Sequence, residues 1–358
     1  MKRVIVALLI LGGSIILIGV NFGPFLQAKG FRPRAREKAE ERITQSFEVA
    51  PGGLLSVDID GGSIEIRPSD SPKVYVEMYR RIEAGSSEAA RELLERNPVR
   101  ISQSGNNVYI EAQGPNTNGR SRKNVELKVS VPRNFNVDLK TSGGKIGVEG
   151  LDGTVRAKTS GGNLSFSSIR GPVRGETSGG PIAARDIDGE VVVKTSGGGI
   201  EVINITNDVV AHTSGGSITA RRIEGKLDAK TSGGSLNFEE VSGEIDGRSS
   251  GGSVTARFSK PIDANCRLET SGGTVNVYLP ENSQFDLDAQ AGSGQIMTEF
   301  PVSITFQGKL EKSTLKGQVN GGGAVLYCRT SGSNINLKKN PAAVSMLIHG
   351  LQKQACSN

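Results

Sequence analysis

KTSGGKIGVEGLDGTVRAKTSGG, residues 140–162, decides the fold, because it is one period of a pattern that keeps returning. TSGG starts at Thr141, Thr159, Thr177, Thr195, Thr213 and Thr231, and the same step gives SSGG at Ser249, seven occurrences at an unbroken spacing of 18 residues. It returns at Thr270, degrades to AGSG at Ala291 and reappears as TSGS at Thr330. A fixed period of this kind means one structural unit stacked on itself.

Counted from its Thr, each unit carries apolar residues at position 6 (Ile146, Leu164, Ile182, Ile200), position 11 (Leu151, Ile169, Ile187, Ile205) and position 15 (Val155, Val173, Val191, Val209). Positions 6 and 8 alternate, as do 15, 17 and the following Thr, so short strands with one buried face are predicted and no helical period fits. Gly at positions 3 and 4 is expected to supply positive φ at a sharp turn, and Gly at position 13 marks a second corner. Position 8 runs Phe166, Ala184, Val202, Ala220, Phe238, Ala256, large over small, which fills a thin core without voids. The inward Thr column is expected to exchange hydroxyl hydrogen bonds between coils. The predicted fold is all-β: a single-stranded β-solenoid, a right-handed β-helix with 18-residue coils and a stack of roughly 50 Å at about 4.8 Å per coil.

Composition agrees with a thin core: of 358 residues 48 are Gly, none is Trp and 4% are aromatic, too little bulk for a round globule. Residues 1–45 hold net +5 of the total +6, so the basicity belongs to one end and nucleic acid is not the expected partner. Of three Cys, Cys266 and Cys328 fall on inward repeat positions and Cys356 lies in the tail; neither a disulfide framework nor a zinc pattern is visible.

In chain order, Lys2 and Arg3 precede an apolar run over residues 4–26, long enough to span a bilayer. The expectation is an uncleaved helical anchor in residues 1–28 and a charged juxtamembrane linker over 29–45. Residues 46–140 form a less regular part of the solenoid with one helix over 86–97, capped by Ser86 or Ser87 and expected to cover an open end. The regular solenoid occupies 141–340. Two 21-residue coils follow Ser249 and Thr270, the period breaks at 299–323, and Asn320-Gly321-Gly322-Gly323 leads into a last coil. Residues 341–358 make a terminal cap through Val344, Leu347, Ile348 and Leu351.

Several stretches resemble a known family: PGGLLSVDIDGGSIEIRP from residue 51, VELKVSVPRNFNVDLKTSGGKIGV from 125, the repeated TSGG, and FPVSITFQGKLEKSTLKGQVNGGGAVLYCRTSGSNINL from 300. Over roughly residues 46–340 the chain is similar to the bacterial adhesin-like family of β-strand-repeat proteins, a domain of unknown function. That resemblance implies an envelope or surface location and no assigned activity.

Chemistry finds few footholds. Asp186 with Asp188, and Glu239 with Glu240, are the candidate acid pairs; Asp186 and Asp188 flank inward Ile187 and are expected to face solvent, and neither pair recurs on neighbouring coils. His212 belongs to an outward row at position 18, and His349 lies in the tail. No nucleophile elbow, metal motif or phosphate loop is present, so no cofactor, metal or catalysis is expected. The position-18 row is mostly basic, and Lys158, Lys194, Lys230 and Arg248 are its candidate polyanion-binding residues. The expectation is a membrane-anchored, extracytoplasmic envelope solenoid with an adhesive or structural role, held to the membrane by its N-terminal segment and contacting an envelope glycan or protein. Two alternatives are a cytoplasm-facing scaffold that self-associates end to end, and a glycan-acting β-helix enzyme. Positive-inside counting favours the cytoplasmic orientation, because residues 29–42 hold more Lys and Arg than residues 2–3.

Overall fold

A computed structural model of the chain describes residues 7–11, 14–18, 37–112, 122–304 and 313–340. The chain divides into two compact units, Met1–Arg36 and Glu37–Asn358.

In the second unit each coil gives one strand to each of two sheets. Positions 6–11 build a 14-stranded sheet and positions 15–18 a 15-stranded one. Neighbouring coils pair in parallel and in register, so Ile182 sits beside Ile200 and Ile200 beside Ile218. The apolar columns face inward as the alternation requires: Ile200 is 2% exposed and Ile205, Val209 and Ala211 are no more open. Fourteen strands at about 4.8 Å make a stack of roughly 60 Å. Along it, Phe166 pairs with Ala184 and Phe238 with both Ala220 and Ala256. The same exchange of volume also runs across the core, between positions 8 and 17. Each Phe faces a Gly: a Cβ on Gly175 would lie 2.8 Å from the Phe166 ring, and one on Gly247 would lie 2.5 Å from Phe238. Where position 8 is Ala184, position 17 is Val193; the Thr213 coil, with Ala220 and Ala229, is instead filled by Phe238 of the next coil.

Two expectations about TSGG are corrected. Its glycines are not left-handed; positive φ among the described glycines falls elsewhere, as at Gly62, Gly150 and Gly171. The position-4 Gly is needed because backbones stack too closely for a side chain: a Cβ on Gly198 would lie 2.1 Å from the Gly180 carbonyl oxygen. At position 3 there is room, since a Cβ on Gly197 would meet its nearest atom at 3.4 Å. Nor do the buried Thr hydroxyls bond to each other. Thr195 Oγ1 donates to the Gly180 carbonyl of the previous coil at 2.9 Å and accepts from the Gly198 N–H of its own coil at 3.3 Å. Thr213, Thr231 and Thr270 repeat both bonds, and Ser249 does so with its Oγ. At these steps the hydroxyl satisfies two buried backbone groups, while Thr141, Thr177 and Thr330 make the donated bond to the neighbouring coil.

Spatial order departs from chain order at both ends. Ala324–Thr330 does not follow Phe285–Ala291 as a last coil; it inserts between that strand and Cys266–Thr270, parallel to both. Ile335–Lys339 inserts in the same way between Val275–Leu279 and Ile296–Thr298. Beyond Phe285–Ala291 the fifteen-stranded sheet turns antiparallel, with Thr314–Val319 and then the two residues Val302–Ser303. The other end mirrors this. Leu54–Ile59 and Ser63–Ser69, first in sequence, lie inside Asn107–Ala112 and Arg122–Pro132. Antiparallel strands Arg100–Ser104, Lys73–Ala84 and Glu37–Glu48 finish that end.

Part of the linker expected over 29–45 is therefore a 12-residue edge strand, Glu37–Glu48. Ala39 turns inward while Glu37, Lys38 and Glu40 stay exposed, and such charges guard an edge against further pairing. The helix is where the alternation of Ala and Leu placed it, Ser87–Arg96, with the Ser86 side chain accepting from Ala89 N–H. Ala90 closes over Ala39 and Ala84. Arg80 stands buried in the inward row, 5% exposed, because its guanidinium binds the Glu41 carboxylate and the Asn97 carbonyl at the helix C-terminus.

In the first unit, Ala7–Leu11 and Ser14–Ile18 form an antiparallel pair where a helical span was expected. Leu and Ile on either side of Gly12-Gly13 carry a hairpin signal as well as an apolar one. Among the described residues no helix is long and apolar enough to cross a membrane. The rest of the apolar run, and the tail over 341–358 with Cys356 and His349, lie outside the described residues.

Candidate functional site

The position-18 row is in register, Lys140 beside Lys158, then Glu176, Lys194, His212, Lys230, Arg248 and Glu269. Its cations are mostly neutralised in place. Lys158 reaches Glu176 at 3.3 Å, Lys230 reaches Asp228 at 2.9 Å, and Arg248 reaches Asp246 at 2.8 Å and Glu269 at 3.5 Å. Of the four candidates, only Lys194 lacks an ion pair among the described residues. His212 is half-buried, with Nε2 3.3 Å from Asp228 Oδ1. Partial burial opposes the charge of Asp228, but the Lys230 hydrogen bond and the nearby His212 imidazole hold its carboxyl below the usual range. A row so compensated presents mixed charge, with acids beside most of its candidate cations.

Asp186 and Asp188 face solvent, as expected, and Glu240 is exposed beside half-buried Glu239. Asp186 accepts from Asn204 Nδ2 at 2.5 Å, Asp188 from Thr206 Oγ1 at 2.8 Å, and Glu239 pairs with Arg221 at 3.0 Å. Cys266 and Cys328 are buried, free thiols. Burial pushes Cys266 up to about 12 and Cys328 up as well, so both stay protonated and behave as small apolar groups.

The concave feature lies where the repeat first breaks. Between inward positions 8 and 11 stand two residues instead of one, and the second takes the left-handed region in coil after coil: Ser168, Asp186, Asn204, Arg222 and Glu240, all with φ of 52–56°. This kink aims position 11 back into the core and leaves the left-handed residues as an exposed column. Beyond φ, side chains link them, Asn204 bonding Asp186 on one side and Arg222 on the other. At the next residues the backbone ladder continues: Glu224 N–H bonds the Ile205 carbonyl at 3.0 Å and Ser242 N–H the Ile223 carbonyl at 2.8 Å. It stops at Val241. The Ser249 coil has 21 residues, and its segment 258–264 swings outward, Glu239 with Arg257 being the last register pair. Among the described residues no backbone N–H reaches the Val241 carbonyl.

The result is a cleft of about 750 Å³. It lies over Ile205, Ile223, Val241, Phe258 and Ile262, whose side chains are packed in the core, and Pro261, Arg222, Glu240, Glu224, Lys260 and Asp263 stand round it. Sequence reasoning missed it. The available signals were the three extra residues and the two-residue gap between inward positions 8 and 11. Among the described residues no group of His, Cys, Asp and Glu is arranged to hold a metal ion.

A protein-family profile described as Toastrack DUF4097 matches residues 54–338. The chain belongs to the Toastrack DUF4097 family. The motif resemblance to β-strand-repeat adhesin-like proteins is thereby borne out, and the match covers the Toastrack stack from its first inserted coil to its last. Among solved structures this Toastrack chain is similar to a candidate cell adhesion protein from Clostridium sporogenes, at 14% identity over 85% of this chain and 100% of that one, with a TM-score of 0.20. It is also similar to a candidate adhesin from Bacteroides fragilis, at 12% identity over 67% of this chain and 97% of that one, TM-score 0.32. A candidate lipid-binding protein from Parabacteroides distasonis is 13% identical over 83% of this chain and 97% of that one, TM-score 0.32. No curated protein matches.

Proposed function

We propose that this chain is a non-catalytic envelope protein, anchored by its apolar N-terminal run, that holds a partner on a rigid rod. The cleft at residues 204–264 carries the proposal: it is a concave site with a polar, charged rim, placed beside continuously paired strands. The expected partner is an envelope glycan or protein. Both sheets finish in antiparallel pairs at the N-terminal end, and the fifteen-stranded sheet does so at the other, which supports a rod of fixed length over a polymerising scaffold.

The test is retention of the detergent-solubilised full chain on immobilised envelope polysaccharide and on envelope protein extracts. Arg222→Glu with Lys260→Glu should lower retention about tenfold, a rim loss of the size expected for two contacts. Changing Lys158, Lys194, Lys230 and Arg248 together to Gln should leave it unchanged. The reverse outcome would move binding to the position-18 row. The extracytoplasmic orientation is tested by protease: cleavage of the rod in intact cells or spheroplasts supports it, and protection until lysis overturns it.

A further inference from the structure

Near the start of the regular stack a single residue closes the ladder with two bonds. Arg170 donates its N–H to the Leu151 carbonyl, and its own carbonyl accepts from the Gly153 N–H, both at 2.8 Å. Leu151 and Gly153 flank Asp152, the residue that Arg170 stands beside. This is the parallel-sheet arrangement, in which one residue bonds the residues before and after its partner. The acceptor half recurs at Ile187, Ile205 and Ile223, whose carbonyls bond the N–H groups of Thr206, Glu224 and Ser242. At the Ser249 coil no residue takes the next place. The Val241 carbonyl and the Gly243 N–H make no backbone bond among the described residues, and Ser242 between them is exposed. Across the cleft the backbone of residues 259–263 makes none either, and Ser259, Lys260, Pro261 and Asp263 are exposed. The other 21-residue coil shows that this fold can close such a gap. There the Asn320 side-chain amide donates to the Glu281 carbonyl at 3.1 Å and to the Ser283 carbonyl at 2.9 Å.

We propose that the cleft is a strand-addition site: an extended segment of a partner protein enters it, and one residue of that segment bonds both the Val241 carbonyl and the Gly243 N–H. The proposal rests on the reading of the cleft as the binding site and narrows the partner from glycan or protein to protein. A peptide residue carries a donor and an acceptor at the spacing this pair needs, as Arg170 does. The contact is to backbone, so the apolar side chains beneath it stay packed in the core. Close stacking then selects the sequence that fits. A Cβ on Gly171 would lie 2.5 Å from the Gly153 carbonyl oxygen, and one on Gly243 would lie 2.2 Å from that of Gly225. The peptide residue after the clamped one takes the same place over Gly243, so it must be Gly. The residue before it turns toward Val241 and Phe258, which already fill the core, so it must be small. The segment is therefore small, any, Gly, and rim charges of both signs act on its flanks.

The experiment is hydrogen–deuterium exchange at the Gly243 amide of the full chain, read against control strand Val155–Thr159. The probe is the synthetic peptide acetyl-Thr-Thr-Ala-Ser-Gly-Thr-Thr-amide. At about 5 mM, enough to fill most of a site with a Kd of about 1 mM, it should slow exchange at Gly243 about fivefold and leave the control strand unchanged. Methylating the peptide's Ser nitrogen removes the bond to the Val241 carbonyl, and replacing its Gly by Val sets a side chain against Gly243. Either change should abolish the protection. Equal protection by the methylated peptide overturns the proposal, as does protection by none of the three. Protection of the edge strand Glu37–Glu48 in place of Gly243 also overturns it, since that is unselective edge pairing. The underlying reading fails separately: it falls if Arg222→Glu with Lys260→Glu leaves retention unchanged. If that variant lowers retention while the probe leaves Gly243 exchange unaltered, the cleft binds by other means and strand addition alone is overturned.

Discussion

The middle coils and the two ends are built from the same apolar alternation but are connected differently. From Thr159 to Thr231 every strand pairs with those 18 residues before and after it. At the ends the partners are distant: Cys266 pairs with Leu326, and Asn136 with Leu54. In the middle, closing a coil costs one short loop. At the ends a long excursion must return and slot between strands that already exist, so those contacts form late. The contrast shows that stacking alone would leave a frayed terminus, whereas insertion places each terminal coil inside the stack.

Removing the last coil is the strongest way to break this comparison. A chain ending at residue 320 loses the inward side chains Leu326, Cys328, Ile335 and Leu337 from between two strands that need them. At the usual 1.5–3 kcal/mol per buried apolar side chain the loss is about 8 kcal/mol. Limited proteolysis should then trim the chain from about residue 280 onward, while coils 141–249 stay resistant. Resistance unchanged throughout would mean that the inserted coil does not hold its end together.

A buried charge in the middle comes next. Ile200→Asp should cost about 4 kcal/mol, read as a lowered denaturant midpoint, because Ile200 is 2% exposed with no polar partner nearby. An unchanged midpoint would overturn the inward assignment of position 6.

Adjacent glycines sharpen the comparison further. Gly198→Ala must push two coils apart and should cost about 3 kcal/mol, whereas Gly197→Ala has room for its methyl and should cost under about 1 kcal/mol. Equal costs would sink the close-approach account of position 4. The smallest effect belongs to the hydroxyl spine. Thr195→Val leaves the Gly180 carbonyl and the Gly198 N–H without their shared partner and should cost about 1–2 kcal/mol, with Thr195→Ser closer to neutral because Ser249 already makes both bonds.

Much of the middle was legible in the sequence, because burial at positions 6, 8, 11, 15 and 17 follows directly from the alternation. The weave was not. The coil at Thr330 has the same inward pattern as its neighbours, so nothing in it says which slot it takes. The left-handed column was hidden because Ser, Asp, Asn, Arg and Glu fill it where Gly would have announced it. The glycines that were visible served close approach instead. Of the candidate site, the four basic residues were placed in register as expected, but their partners at 2.8–3.5 Å sit in other coils or one alternation away, where a list of like positions does not look.

One feature of the core bears on how such a molecule changes over time. From Thr159 to Ala211 the coils balance their own cross-sections, Phe166 against Gly175, Ala184 against Val193 and Val202 against Ala211, so neighbours in that stretch ask little of each other beyond backbone register. A duplicated 18-residue segment between Thr177 and Thr213 would therefore enter as a complete slice, with both woven ends and the cleft untouched. Each such copy lengthens the rod by about 4.8 Å. The distance between the two ends is then an adjustable ruler, set in units of one coil by how many times a single exon-sized phrase is repeated.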